Sequence, residues 1–388
     1  MQLDDLSLFD RITERRATGS LKWARYENRD ILPMWVADMD FPSPAPILDA
    51  IRHRLDHGVL GYSVATPDVS EAVLKYLLEQ HSVRADASWL TWLPGMVPAL
   101  ALCAAISGDS GDSGDAVMTC TPVYPPFLKA HRDAGRELIT VPLAIDDSGR
   151  HTFDFDAMER AVTPRTRLLI LCSPHNPVGR VWSRSELEGI AAFCERHDLL
   201  LCSDEIHCDL LLEPDSAPHT TALRLPDALH RRLIVLMAAS KTYNVAGLGL
   251  AFAIIPDASL RRRFQAAKNT FVAETNPLSF AATAAAYNHC EPWRLALTRY
   301  LRGNRDRLAA FLAERCPLVR MPHIEATYLA WLDVRSLGLE HPAAHFEAHG
   351  LALNNGADFG APGFVRLNFG CPRLTLEEGL SRFATALP

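Results

Sequence analysis

The stretch RLLILCSPHNPVGRVWSRSELEGIAAFCERHDLLLCSDEIHCD, residues 167–209, decides the fold. Two short apolar runs, RLLILC and LLLCSDEI, flank SRSELEGIAAFCERHD (183–198), whose apolar residues recur at helical spacing. Runs of this length without polar alternation read as strands covered on both faces. Ser183 with Glu186 three residues later forms a capping-box signature that starts the helix between them. Strand, helix, strand in this order is the unit of a parallel sheet. The same texture runs from 115 to 256 through AVMTC, ELITVPL, LIVLMAAS and LGLAFAIIP. The expected fold is therefore α/β: a three-layer, mostly parallel sheet covered by helices.

Outward from that centre, helical spacing is expected at 47–58, 69–81 and 95–108, the last entered through a glycine turn. The acidic repeat GDSGDSGD (108–115) reads as a surface loop; it lacks the glutamate that closes an EF-hand, so it does not read as a calcium site. Beyond about residue 288 a long helix (292–315) precedes two apolar runs, 328–332 and 364–367, which is the texture of a smaller α+β unit. The expected division is a large domain at 47–288 and a small domain built from 1–46 plus 289–388.

Composition excludes several classes. The chain has 388 residues, 48% of them apolar and 22% charged, so a disordered chain is not expected. No apolar stretch approaches membrane-spanning length, and the opening residues lack a signal-peptide core, so neither membrane insertion nor secretion is expected. With 39 Lys and Arg against 46 Asp and Glu, no basic field marks a nucleic-acid partner. Arg261, Arg262 and Arg263 read as a solvated helix face. Nine cysteines without a CxxC pair indicate reduced thiols and a cytoplasmic setting.

Sheets of this kind present ligands at the carboxyl ends of their strands. Four such ends carry polar residues: CTPVYPPF (120–127), CSPHNPVG (172–179), CSDEIHCD (202–209) and ASKTYN (239–244). Lys241 follows a strongly apolar run, where partial desolvation lowers an amine's pKa and suits it to Schiff-base chemistry; a lysine reaching from a strand end to solvent is the plainer reading. Asp204 and Glu205 fit a helix cap or a metal pair equally well. His207, Cys208 and Cys202 match no common zinc spacing, and no metal is expected.

Tyr124, Asn176, Asp204, Lys241 and Arg366 together resemble, in order and context, the pyridoxal-phosphate enzymes of the aspartate-aminotransferase fold (fold type I). LKWARY (21–26), PMWVADMDFPSP (33–44), GVLGYS (58–63), TPVYPPF, SDEIH and FVRLNFGCP (364–372) are similar to the MalY/PatB group of cystathionine β-lyase-like C–S lyases. The resemblance runs from about Phe9 to the C-terminus. It implies that Lys241 binds the cofactor aldehyde and later takes the proton from Cα. Asp204 holds the pyridine nitrogen protonated, Asn176 donates to the phenolic oxygen, and Tyr124 stacks on the ring. Arg366 clamps the substrate carboxylate, with Val36, Ala37 and Asn176 beside it. Gly95, Met96 and Val97 at a helix start, with Ser240, serve the phosphate, and Tyr62 reaches the neighbouring subunit's site in a homodimer.

Three positions depart from the aminotransferase pattern. Ala238 replaces a common phosphate-binding serine, Gly249 replaces a phosphate-binding arginine, and His207 stands where aminotransferases have a tyrosine. The last is shared with the lyase group. The implied activity is β-elimination from L-cystathionine or another S-substituted cysteine, giving pyruvate, ammonia and a thiol. The alternatives are an aminotransferase using the same residues with a 2-oxo acid, another outcome on the same cofactor such as racemisation or a dedicated biosynthetic elimination, and a cofactor-bound regulatory or interaction protein.

Overall fold

The computed structural model describes residues 4–108, 115–132 and 134–388; most of the GDSGDSGD repeat, read as a loop, lies outside the described residues. The six apolar runs and one strand the sequence reading did not expect, Leu90–Leu93, form one seven-stranded sheet. Its strands are β1 (Leu90–Leu93), β2 (Ala116–Thr121), β3 (Glu137–Pro142), β4 (Thr166–Cys172), β5 (Leu200–Asp204), β6 (Leu233–Met237) and β7 (Ala251–Ile254), in spatial order β1-β7-β6-β5-β4-β2-β3. Neighbours from β6 to β3 pair in parallel. Strand β7 runs antiparallel to both β6 and β1. The link from β6 to β7 holds only a short 3-10 turn, and without a crossover helix the chain returns antiparallel.

Strand β6 shows why its run is apolar throughout. Leu233, Val235 and Met237 enter one core cluster, whereas Ile234 and Leu236 enter the other. On the first face lie α1 (Pro67–His81) and, across it, α3 (Arg184–Arg196); on the opposite face lies α2 (Met96–Ile106), joined by α4 (Ala258–Phe271). The capping box at α3 forms: the Ser183 hydroxyl accepts from the Glu186 backbone N–H, and the Glu186 carboxylate accepts from that of Ser183.

A second, antiparallel sheet has the order β8-β10-β9, from Leu329–Asp333 (β8), Asn354–Asn355 (β9) and Phe364–Asn368 (β10). The N-terminal segment joins it, since Leu32–Pro33 pairs in parallel with Leu351–Ala352. Phe9, Met34 and Phe41 share a core with Leu301, Leu329 and Phe383. Among the described residues no helix is long and apolar enough to cross a membrane.

Four buried histidines tie this fold to pH. Burial, the largest cause at each, lowers His81, His151 and His175 to about 4 and His207 to about 3, from the ordinary 6.5. The unfolded chain therefore binds these protons more readily, and stability is lost as pH falls from 6.5 toward 4. The protein without cofactor is expected to melt at progressively lower temperature across that window, and calorimetry at several pH values checks it. A melting temperature constant from pH 7 to 4.5 would contradict the burial of these rings as neutral groups.

Candidate active site

The sheet register brings the sequence-expected residues together. Cys172 pairs with Asp204, and Asp204 with Leu236, so the carboxyl ends of β4, β5 and β6 stand level. Tyr124 follows β2, Asn176 follows β4, Asp204 ends β5 and Lys241 follows β6. All four line one cavity of about 180 Å³. Ala37, Gly95, Met96, Val97, His207 and Ser240 line it too. Val36 stands behind this wall, its carbonyl accepting from Asn368 Nδ2 at 2.5 Å. Tyr62 is fully exposed and does not line this chain's cavity.

Asp204 and Glu205, adjacent in sequence, part company. Glu205 is buried and accepts from Ser203 Oγ, His219 Nε2 and the Ala222 N–H, which makes it a structural carboxylate. Asp204 accepts only the Ile206 N–H, at 3.1 Å, and has no ion-pair partner among the described residues. Burial pushes its pKa up to about 7, opposed by that N–H and by Lys241. A buried carboxyl this short of donors fits a cationic N–H group entering the cavity.

Lys241 donates from Nζ to the Ala37 carbonyl at 2.7 Å. Burial, and next Arg366, lower its pKa to about 8, against the pull of Asp38 and Asp204. His207 is kept neutral by burial and by the charges of Lys241 and Arg366, and its Nδ1 has no partner. Cys202 and Cys208 do not join it. Cys202 lies against Cys103 in the core, and Cys208 Sγ lies 3.4 Å from the Tyr76 hydroxyl. Tyr76 also bonds Asp209 Oδ1 at 2.7 Å and His81 Nε2 at 2.8 Å, so its hydroxyl occupies the centre of that buried His–Cys–Asp group.

Arg366, on β10, is buried and faces only neutral acceptors. It donates from Nη1 to Asn176 Oδ1 (2.9 Å) and from Nη2 to Asn354 Oδ1 (2.6 Å) and the Trp35 carbonyl (3.1 Å); its Nε is unpartnered. Burial lowers its pKa to about 10. A buried guanidinium without a counter-ion is prepared for an anion such as a carboxylate. Because Asn176 spends its oxygen on Arg366, its amide N–H2 remains to donate into the cavity.

At the far end of the cavity, Gly95 caps α2 and the first N–H groups of that helix meet the lining. Such a helix start suits a phosphate. Lys241 is the one lysine or arginine in this lining among the described residues. Gly249 explains part of this: its φ is +61°, and a Cβ there would lie 2.9 Å from the Pro94 carbonyl, so no side chain is accommodated. Donor set, helix start and unpaired carboxyl together fit pyridoxal phosphate.

Tyr328 and three asparagines that sequence reading missed contribute as well. Tyr328 donates to the same Ala37 carbonyl at 2.9 Å, and Asn368, Asn244 and Asn354 hold backbone or Arg366 around the cavity. These bonds join residues far apart in the chain and leave no spacing signal. Asn244 alone carries one, a left-handed φ of +56° that asparagine tolerates. Asn276 caps the helix Pro277–His289 and does not line the cavity.

The sequence matches the family described as aminotransferase class I and II over residues 32–383. It is 36% identical over 390 residues to cystathionine beta-lyase PatB of Bacillus subtilis (strain 168), covering 98% of this chain and 99% of that protein. Among solved structures, OvoB superposes with a TM-score of 0.94 at 41% identity over 98% of each chain. Cystalysin from Treponema denticola, which contains a pyridoxal 5'-phosphate cofactor, gives 0.92 at 31% identity over 98% of each chain.

Proposed function

We propose, for a chain that belongs to the aminotransferase class I and II family, a pyridoxal-phosphate-dependent carbon–sulfur β-lyase acting on L-cystathionine or a related S-substituted cysteine. The observation that carries this reading is end-to-end similarity to PatB, joined to a cavity lined by an amine and a carboxyl, with the guanidinium of Arg366 bonded to Asn176 of that lining.

The bound cofactor supplies an electron-accepting ring conjugated to the substrate's α-carbon. Asp204 would hold the ring nitrogen protonated, and that cation would return its carboxyl to the ionised form. Asn176 donates to the ring's phenolic oxygen, Tyr124 covers a ring face, and neutral His207 lies close by. The N–H groups after Gly95, with Met96 and Val97, and the Ser240 hydroxyl serve the phosphate. Arg366 binds the α-carboxylate beside Val36 and Ala37 and so fixes which Cα bond stands perpendicular to the ring. With the cofactor and substrate bound, the free Lys241 amine would be the group that moves the Cα proton. The Cβ–S bond then breaks, the sulfur leaves as thiolate, and water converts the remaining enamine to pyruvate and ammonia.

Tyr62 belongs in this reading to the partner subunit's site in a homodimer. Support comes from its full exposure beside exposed Val59, Leu60 and Val64, an apolar patch of the kind that interfaces bury. Light scattering is expected to give twice the chain mass, and a monomer would contradict the shared site. The division into 47–288 and 1–46 plus 289–388 is supported by the core that the N-terminal segment shares with the C-terminal part. A cytoplasmic setting is supported by nine buried, unpaired cysteines.

Arg366→Leu is expected to lower kcat/KM by about 100-fold or more, chiefly through KM, because a desolvated charge partner is removed. The lyase reading is tested with a panel of S-substituted cysteines and 2-oxo acids. Pyruvate release without any 2-oxo acid supports it. Amino transfer that depends on a 2-oxo acid, with no pyruvate from any cysteine conjugate, identifies an aminotransferase instead.

A further inference from the structure

Residues 34–41, MWVADMDF, run outside any helix or strand, with Ala37 lining the cavity, and side chains hold their backbone. The Trp35 carbonyl accepts from Arg366, that of Ala37 from Lys241 and Tyr328, and that of Val36 from Asn368. Asn368 also reaches the Asp38 carbonyl, while Asn244 donates to Met39 and Phe41 and accepts the Met39 N–H. One strap therefore touches both the arginine and the lysine of the site, and its position sets their register.

The outer side of the strap is held by charge. Lys22, 1% exposed, donates to Asp40 Oδ2 at 2.7 Å, and Arg15 bridges Asp40 at 2.6 Å and Asp38 at 2.7 Å. Trp23 Nε1 completes the Asp40 carboxylate at 3.1 Å. Burial raises the pKa of Asp40, yet Lys22 and Arg15 outweigh it and hold the carboxyl below its usual value. Apolar residues of similar volume fill a core about as well as a buried ion cluster, which instead fixes direction. Here the direction fixed is that of the strap.

We propose that Arg15 and Lys22 are positioning residues that clasp the 34–41 strap, so that the Ala37 carbonyl and Asp38 carboxylate stand toward Lys241 and the Trp35 carbonyl toward Arg366. The proposal rests on Lys241 being the cofactor lysine. Lys241 is faced by Asp38 from the strap, Asp204 from β5, Arg366 from β10, and His207, Tyr124 and Tyr328. The strap's carbonyl and carboxylate both favour the protonated nitrogen. A released strap removes that support and lowers the pH at which the nitrogen titrates. Removing a cation while the strap stays in place has the opposite sign, since the uncovered carboxylates favour the proton more.

The test uses the full, cofactor-loaded chain with Arg15→Gln and Lys22→Met, and Arg29→Gln as a surface control. The visible absorbance is titrated with pH, and melting temperature and cofactor content are followed alongside. The midpoint is expected to fall by about half a pH unit or more in the clasp variants, with kcat for elimination down about tenfold. The control is expected to match the wild type. A midpoint unchanged or raised in loaded, folded variants overturns the clasp. If Lys22→Met does not load, Arg15→Gln, whose side chain is partly in solvent, decides alone. A wild type that shows neither visible titration nor elimination refutes the parent reading rather than the clasp.

Discussion

Lys241→Ala is expected to reduce pyruvate release from L-cystathionine by at least ~1000-fold while the chain keeps its fold. The side chain lies at the end of β6, half-buried, and its removal takes no buried ion pair with it. The Ala37 carbonyl keeps the Tyr328 hydroxyl as a donor. What is lost is an amine whose pKa of about 8 lets it give up and take a proton near neutral pH. Steady-state pyruvate assays with a melting curve measure the two effects separately. A binding or regulatory role that needs no turnover would survive this substitution, so the same variant separates an enzyme from an interaction protein. Full activity in the Ala variant would remove Lys241 from the mechanism.

Asp204→Asn is expected to lower kcat by about 100- to 1000-fold, because the charge that keeps the ring nitrogen protonated disappears. Its effect on the protein without cofactor has a different sign. The carboxyl pKa is raised by burial from 3.8 to about 7, so the folded chain binds this proton more tightly than the unfolded chain. Stability therefore declines as pH climbs from 3.8 through 7, and an amide removes that decline. The cofactor-free Asn variant is expected to melt no lower than the wild type at pH 8, and the loaded variant to be nearly inactive. A variant that loses stability and activity together would mark Asp204 as a structural group like its neighbour Glu205. Kinetics and calorimetry on both forms decide between them.

Six of the seven strands were legible because each is a local apolar run of sequence; the edge strand Leu90–Leu93, four residues with half-buried members, was not. Nor was the reversal of β7, since direction depends on what the preceding loop lacks. Asn176, Asp204 and Lys241 were legible as candidates because strand ends place them at one edge, and the capping box at Ser183 because its two partners are three residues apart. Glu205 shows the limit: two adjacent carboxylates look alike in sequence, and only the Ser203, His219 and Ala222 donors tell them apart. The strap shows it more strongly. Its bonds to Asn368, Asn244 and Tyr328 pair amides and a hydroxyl with backbone carbonyls hundreds of residues away, and a carbonyl has no letter in the sequence. The Lys22–Asp40 pair was invisible too: nothing in LKWARY and DMDF links one lysine to one aspartate until the fold buries them together.

The central claim is that Lys241, Asp204 and Arg366 direct a β-elimination. It is tested most directly by the stoichiometry of cofactor-loaded protein acting on L-cystathionine with every 2-oxo acid omitted. Equal amounts of pyruvate, ammonia and free thiol, accumulating over many turnovers, are predicted. A single turnover that stops with the cofactor in its amine form and no thiol released would contradict it.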